Sequence, residues 1–118
     1  MHSGDAFAGK NVPLIDANNG GSAAEYAHTI TKASATLKDI DTIITGHSAL
    51  MKPADLKEYA DFNAEFLAWV KTEIKAGKTA EAAAAEYKLP ARYKDYRVVD
   101  VFGGIAGNIQ IAYKELKK

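Results

Sequence analysis

The run Thr42-Ile43-Ile44-Thr45 stops abruptly at Gly46-His47-Ser48, and a long helical pattern starts a few residues later. An apolar, β-branched run of this kind reads as a buried strand, because branching at Cβ favours the pleated backbone. Gly46 lets the chain turn where a side chain would clash, so His47 is expected to project from the strand's carboxyl end. Ligands and metals collect at such strand ends in α/β sheets. The beginning of the chain carries a shorter signal of the same shape: Met1-His2-Ser3-Gly4-Asp5 sets a glycine directly before a carboxylate. Two corners, each a glycine followed by a potential ligand, point to one site.

The segment between the corners decides whether they meet. Ala6 to Gly21 contains Pro13 and ends in Asn18-Asn19-Gly20-Gly21, which is loop composition, while Phe7, Val12, Leu14 and Ile15 predict that the loop packs. Ser22-Ala23-Ala24-Glu25 has the spacing of a capping box, so a helix is expected from Ser22 to about Leu37. Ala23, Tyr26, Ala27, Ile30, Ala33 and Leu37 recur at helical spacing as its buried stripe. Lys38 to Asp41 then turns the chain into the strand at Thr42. Strand, helix and strand form a βαβ unit, whose strands lie parallel with their carboxyl ends on one edge. That order brings Asp5 and His47 together, however far apart they stand in sequence.

Three further helices are expected beyond the site. Lys52-Pro53 opens the longest, since proline suits the first helical position, and Gly77 closes it as a left-handed cap. Leu56, Tyr59, Phe62 or Asn63, Phe66, Val70 and Ile74 are its inward positions, and Tyr59, Phe62, Phe66 and Trp69 make an aromatic packing stripe. Thr79 caps an alanine-rich helix from about Ala80 to Tyr87, which Leu89-Pro90 ends. Arg92 to Arg97 alternates aromatic and charged residues and reads as an exposed connection. The last helix follows Phe102, with Ile105, Ile109, Ala112 or Tyr113, and Leu116 inward.

The 118 residues, 12.7 kDa, suit a single domain spanning 1–118 with room for a core. Fifteen basic residues balance fifteen acidic ones, so no global field recruits nucleic acid or an anionic membrane, and neither is expected as a partner. The absence of cysteine removes disulfides, thiolate metal sites and cysteine nucleophiles together. No apolar stretch approaches the roughly 20 residues a membrane helix needs. The first residues carry neither the basic start nor the apolar centre of a secretory signal. The sequence opens almost inside an expected strand, so either its first residues fray or it is the later part of something longer.

At Gly4-Asp5 and Gly46-His47 the sequence resembles the metallo-β-lactamase-fold hydrolase superfamily. That family carries a Gly-Asp motif whose carboxylate bridges two metal ions, and a later Gly-His-Gly motif whose histidine ligates the second. The likeness extends to Pro13-Leu14-Ile15-Asp16, Asn19-Gly20-Gly21-Ser22 and Ala54-Asp55-Leu56-Lys57-Glu58-Tyr59, and it covers nearly the whole chain. It implies an α/β fold that is half of an αββα sandwich, the carboxyl-terminal half, with short strands in a βαβ unit followed by three helices. It also implies zinc, two ions in an intact family member, with Asp5 as the bridging carboxylate and His47 as an imidazole ligand. Such ions, about 3.5 to 4 Å apart, lower the pKa of a bridging water and polarise the scissile group. His2, Lys10, Asp16 and Ser48 are the candidates for a surrounding layer of contacts or for substrate. Two departures stand out. Ser48 occupies the place of the family's second glycine, and the His-x-His-x-Asp-His signature of the other half, with its further histidine, is absent from these residues. The chain alone is therefore expected to be inactive as a hydrolase, and its partner to be the missing amino-terminal half or a second copy of itself.

The residues by themselves leave plainer readings open. A Gly-His after a strand also suits a turn with a hydrogen-bonded histidine, and an aspartate such as Asp5 also caps turns. His2 either faces the site or packs, Asp16 and the asparagines order their loop, and His28 falls mid-helix, either on the surface or in a layer behind the site. Lys10 either meets an anionic substrate or stays solvated. The alternative function is a stand-alone, non-catalytic α/β module that self-associates or binds a protein partner through uncovered strand edges and an apolar face. A third reading has two copies completing one site between them.

Overall fold

The computed structural model describes residues 1–117. Among them run β1 (His2–Gly4), α1 (Ala23–Thr36), β2 (Ile44–Thr45), α2 (Pro53–Lys75), α3 (Ala80–Glu86) and α4 (Gly104–Leu116), joined by turns and short 3₁₀ segments. The protein is mixed α/β and mostly helical. β1 and β2 pair in parallel with α1 as the crossover, His2 opposite Ile44 and Gly4 opposite Thr45, with a register irregularity between the two pairs.

β2 is shorter than the β-branched run suggests. Ile43 is fully buried and bridges to Met51, whereas Ile44 is about half exposed. This alternation belongs to a strand packed on one face, in contrast to the two-sided burial expected from the run. Ile43 packs in the cluster that holds Ile30 of α1 and Leu56 and Tyr59 of α2, and Ile44 points away from it.

The helix boundaries follow local chemistry. The Ser22 hydroxyl accepts from the Glu25 N–H at 3.0 Å, and another first-turn donor, the Ala24 N–H, is met by Glu115 of α4 at 3.1 Å. α1 stops at Thr36 and turns Leu37 out to solvent, so its buried stripe ends a turn before the expected position. At α2, the Asp55 carboxylate accepts from the Lys52 N–H at 2.8 Å with Pro53 in the first turn, and Gly77 (φ 75°) follows the last turn. Thr79 caps α3 through the Ala82 N–H at 3.2 Å.

Two apolar clusters share the long helix α2. Around its amino-terminal half, Tyr59 is the hub: its ring centroid lies 4.9 Å from Phe7, 6.2 Å from Tyr26 and 6.3 Å from Tyr96. Phe62 packs 5.0 Å from both Tyr93 and Tyr96. Farther along, Phe66 and Val70 meet Ala83 of α3 and Ile109, Ala112 and Tyr113 of α4. The stretch from Arg92 to Arg97 is therefore not an exposed connection. Tyr93 and Tyr96 are only 1% and 5% exposed. The chain folds back twice here, through a 3₁₀ segment at Ala91–Tyr93 and then a turn in which the Tyr96 N–H donates to the Tyr93 carbonyl at 2.9 Å, and this brings both rings against Phe62. Arg92, Lys94, Asp95 and Arg97 stay outside.

Asn108, buried in α4, donates to the Pro13 carbonyl at 2.7 Å and so ties the last helix to the loop that precedes α1.

Truncating Tyr96 to alanine is expected to cost about 3–5 kcal/mol, as for other large aromatic truncations, whereas Lys94→Ala stays within about 0.5 kcal/mol. Urea unfolding of the two variants measures the contrast. A second expectation concerns alkaline pH. Burial pushes Tyr26, Tyr87 and Tyr93 up to about 12 and holds Tyr59 well above the ordinary phenol value. A raised phenol pKa means the folded state holds a proton that the unfolded chain releases near pH 10, so this stability is complete below about pH 10 and lost as pH climbs toward 12. Tyrosinate absorbance should rise together with loss of far-ultraviolet ellipticity in one transition; ionisation of these phenols near pH 10 with helices intact would contradict the burial.

Candidate functional site

β1 ends at Gly4 and β2 at Thr45, and the residues just past them form the site. The Asp5 Oδ1 and His47 Nε2 atoms lie 3.1 Å apart, with the side chains 75% and 67% exposed. So open a pair adds little to stability, and its geometry must come from the backbone that carries it. Gly46 shows how. A Cβ there would sit 2.0 Å from Asp5 Oδ1 and 2.9 Å from the Gly4 carbonyl carbon, so the two corners approach this closely only because position 46 has no side chain.

Several bonds hold the corners. The Thr45 hydroxyl donates to the Ser48 carbonyl at 2.9 Å and accepts from the Ser48 N–H at 3.1 Å, closing the turn that presents His47. The His47 N–H donates to the Ala8 carbonyl at 3.3 Å. On the other corner, the Ser3 hydroxyl reaches the Phe7 carbonyl at 3.0 Å. Tyr26 of α1 donates to the Ala6 carbonyl at 2.8 Å, and Tyr59 of α2 completes the relay by donating to the Tyr26 hydroxyl at 2.7 Å. The residue after Asp5 is thus pinned from both helices.

The other candidates occupy different places. His2 accepts from the Gly4 N–H through Nδ1 at 3.1 Å and braces β1 locally. Ser48 packs on Gly9, where a Cβ would overlap its hydroxyl at 2.0 Å. Lys10 is drawn away to two carboxylates of α2, Glu58 at 3.0 Å and Asp55 at 3.3 Å, and the bond to Glu58 raises its pKa. Asp16 caps the turn at Ala17–Asn19, accepting from the Asn18 N–H at 3.1 Å and from the Asn19 side chain at 2.6 Å. His28 lies on the exposed side of α1.

Whether this donor set suits zinc is a matter of counting. Two ligands each about 2.0–2.1 Å from one tetrahedral ion lie about 3.3 Å apart, close to the Asp5–His47 separation. A catalytic zinc takes three protein ligands, and among the described residues no group of three His, Asp or Glu side chains is assembled. One edge of a coordination shell fits; a complete site for even one ion does not.

Asp5 and His47 stand on the wall of a cleft of about 520 Å³. Its floor and sides are largely apolar, from Val12, Pro13, Leu14, Tyr26, Val99 and Phe102, and Asn11 and Arg97 add polar groups. Arg97 and Phe102 were not singled out by the sequence. Arg97 sits in the stretch whose alternation resembles solvated surface, and Phe102 looks like a helix-flanking residue. One signal is present for Phe102: the glycines at 103, 104 and 107. Phe102 itself is held at φ 53°, an unfavourable backbone for a bulky residue, and a Cβ on Gly107 would meet its carbonyl oxygen at 2.2 Å. Phe102 is 55% exposed and lines the cleft.

Comparisons with protein-family models, with curated proteins and with solved structures yield no match to this chain.

Gly46→Ala should force the corners apart, because Asp5 can swing its carboxylate away but the Gly4 backbone has no such freedom. The expected cost is about 1–3 kcal/mol in urea unfolding, as for other overpacked sites. Amide shifts of Gly4, Asp5 and His47 should move together in NMR spectra while those of α3 stay in place.

Proposed function

We propose that this chain is the carboxyl-terminal portion of a metallo-β-lactamase-like dinuclear metal hydrolase, supplying Asp5 as a bridging carboxylate and His47 as an imidazole ligand. In this reading the two-stranded parallel sheet and its helices are half of an αββα sandwich, and residues carrying His-x-His-x-Asp-His complete the zinc shell from a separate amino-terminal half. One observation carries the reading: two glycine corners from distant parts of the sequence set Nε2 and Oδ1 3.1 Å apart, at a spacing that permits no Cβ at Gly46. With two ligands in place of the three a catalytic ion takes, the polypeptide alone is not a competent hydrolase. The exposed apolar side chains of Ile44 and Leu50 beside the site are consistent with a surface that another half covers. The same exposure favours the second reading, a non-catalytic module that self-associates or binds a protein partner.

Zinc titration separates the two. On the hydrolase reading, isothermal calorimetry shows one weak zinc site whose affinity falls at least about tenfold in Asp5→Ala and in His47→Ala, with no turnover of ester, lactam or phosphoester probes. Unchanged zinc affinity in both variants would remove the ligand role and leave the module. Turnover by the unaided chain with zinc would overturn its incompleteness.

A further inference from the structure

The cleft beside Asp5 and His47 carries a charge that the protein leaves unneutralised. Of the two arginines in the sequence, Arg92 is held by Asp61 and Glu65 at 3.1 and 3.2 Å. Arg97 has no carboxylate partner among the described residues. Its one side-chain bond is from Nε to the Asn11 amide oxygen at 3.2 Å. That bond fixes the guanidinium plane and leaves Nη1 and Nη2, the end of the fork that grips an oxyanion with two parallel bonds. The backbone beneath it is equally fixed: the Arg97 N–H donates to the Lys10 carbonyl and the Val12 N–H donates to the Arg97 carbonyl, both at 2.9 Å. Lys10, the nearest alternative cation along that loop, is already neutralised by Glu58 and Asp55.

Around this fork the cleft is greasy. Val12, Leu14, Val99 and Phe102 line it, and Leu14, Val99 and Phe102 are exposed to a degree that large apolar side chains on a binding surface show. A volume of about 520 Å³ lies within the usual range of small-molecule sites. We propose that this cleft binds an anionic amphiphile, a carboxylate whose head is gripped end-on by Arg97 and whose short hydrocarbon body lies on Val12, Leu14, Val99 and Phe102. Asp5 also lines the cleft, and its carboxylate opposes a head placed beside it, so the two side chains orient the ligand. This assigns a ligand class to the site described above and, for where a reacting bond would lie, rests on that reading. Binding itself uses no metal.

The test is run with the whole chain in the presence of a chelator, so a failed zinc reading leaves it unaffected. Octanoate is the probe, with acetate and 1-octanol as its head and body alone. Octanoate should bind at least tenfold more tightly than either, and its NMR shift changes should centre on Val12, Leu14, Val99 and Phe102. Arg97→Gln should weaken octanoate at least tenfold and leave 1-octanol unchanged, Arg97→Lys should lie between, and Arg92→Gln should match the wild type. Circular dichroism confirms that the variants are folded; were Arg97→Gln unfolded, the octanoate against 1-octanol comparison and the shift map in the wild type still decide. Equal binding of octanoate and 1-octanol, indifference to Arg97→Gln in a folded variant, or shifts centred away from the cleft would each overturn the proposal.

Discussion

Everything at the site depends on one close approach of two backbones. Gly46 passes so near the end of β1 that a single methyl group would strike both the Asp5 carboxylate and the Gly4 carbonyl carbon. Parallel pairing alone does not produce this, since two paired strands usually carry side chains past each other on alternate faces. The pairing ends at Thr45, the chain turns on a residue without Cβ, and the imidazole of the next residue comes to lie beside the carboxylate. Glycine is used here for close approach, whereas at Gly77 it serves a left-handed cap.

An antiparallel pair of strands can be joined by a tight turn, but a parallel pair needs a crossover, and so the site inherits its position from α1. That helix is held through its first turn by other elements. Glu115 from α4 meets a donor of its first turn, and the Tyr26 hydroxyl joins it to the Ala6 carbonyl and to Tyr59 of α2. Tyr59 is in turn packed between Phe7 and Tyr96. A phenol pair inside an apolar cluster costs free energy unless both hydroxyls are bonded. The Tyr59–Tyr26–Ala6 chain satisfies both and spends the directionality of those bonds on the residue next to Asp5. The core and the site are thus joined directly, through hydrogen bonds that run from the aromatic hub to the corner it supports.

Sequence pattern reveals some of this and hides the rest for identifiable reasons. Pro53, Gly77, Ser22 and Thr79 act locally, through caps and fixed torsions, and the helices begin and end close to where they indicate. The two glycine corners are visible because each is a short, contiguous signal. The burial of Tyr93 and Tyr96 is hidden because two successive turns, at Ala91–Tyr93 and from Tyr93 to Tyr96, set both rings inward, and over six residues the resulting mix of aromatic and charged residues resembles an exposed segment. The extent of β2 is hidden because a β-branched run does not say how many faces will be covered. Lys10 and Asp16 show a further blindness: a charged residue in a loop beside a site looks available, and only the folded chain reveals that Glu58, Asp55, Asn18 and Asn19 have claimed them.

The same claims on charge explain why Arg97 differs from the other cations around the loop. A basic side chain that a protein uses for structure ends among carboxylates, as Arg92 does between Asp61 and Glu65 and as Lys78 does between Glu73 and Glu86. Arg97 instead meets a neutral amide, which orients the guanidinium without neutralising it. Leaving it so gains little stability for the folded chain, since an exposed guanidinium is satisfied by water in the unfolded chain as well. What the arrangement does provide is a directed positive charge in a largely apolar cleft that a carboxylate also lines. Apolar surface favours the body of an amphiphile without regard to its orientation, and only fixed charges give it a head and a tail. In a cleft whose backbone is held by Asn108 on one side and by the Lys10–Arg97 pairing on the other, that polarity is present before any ligand arrives.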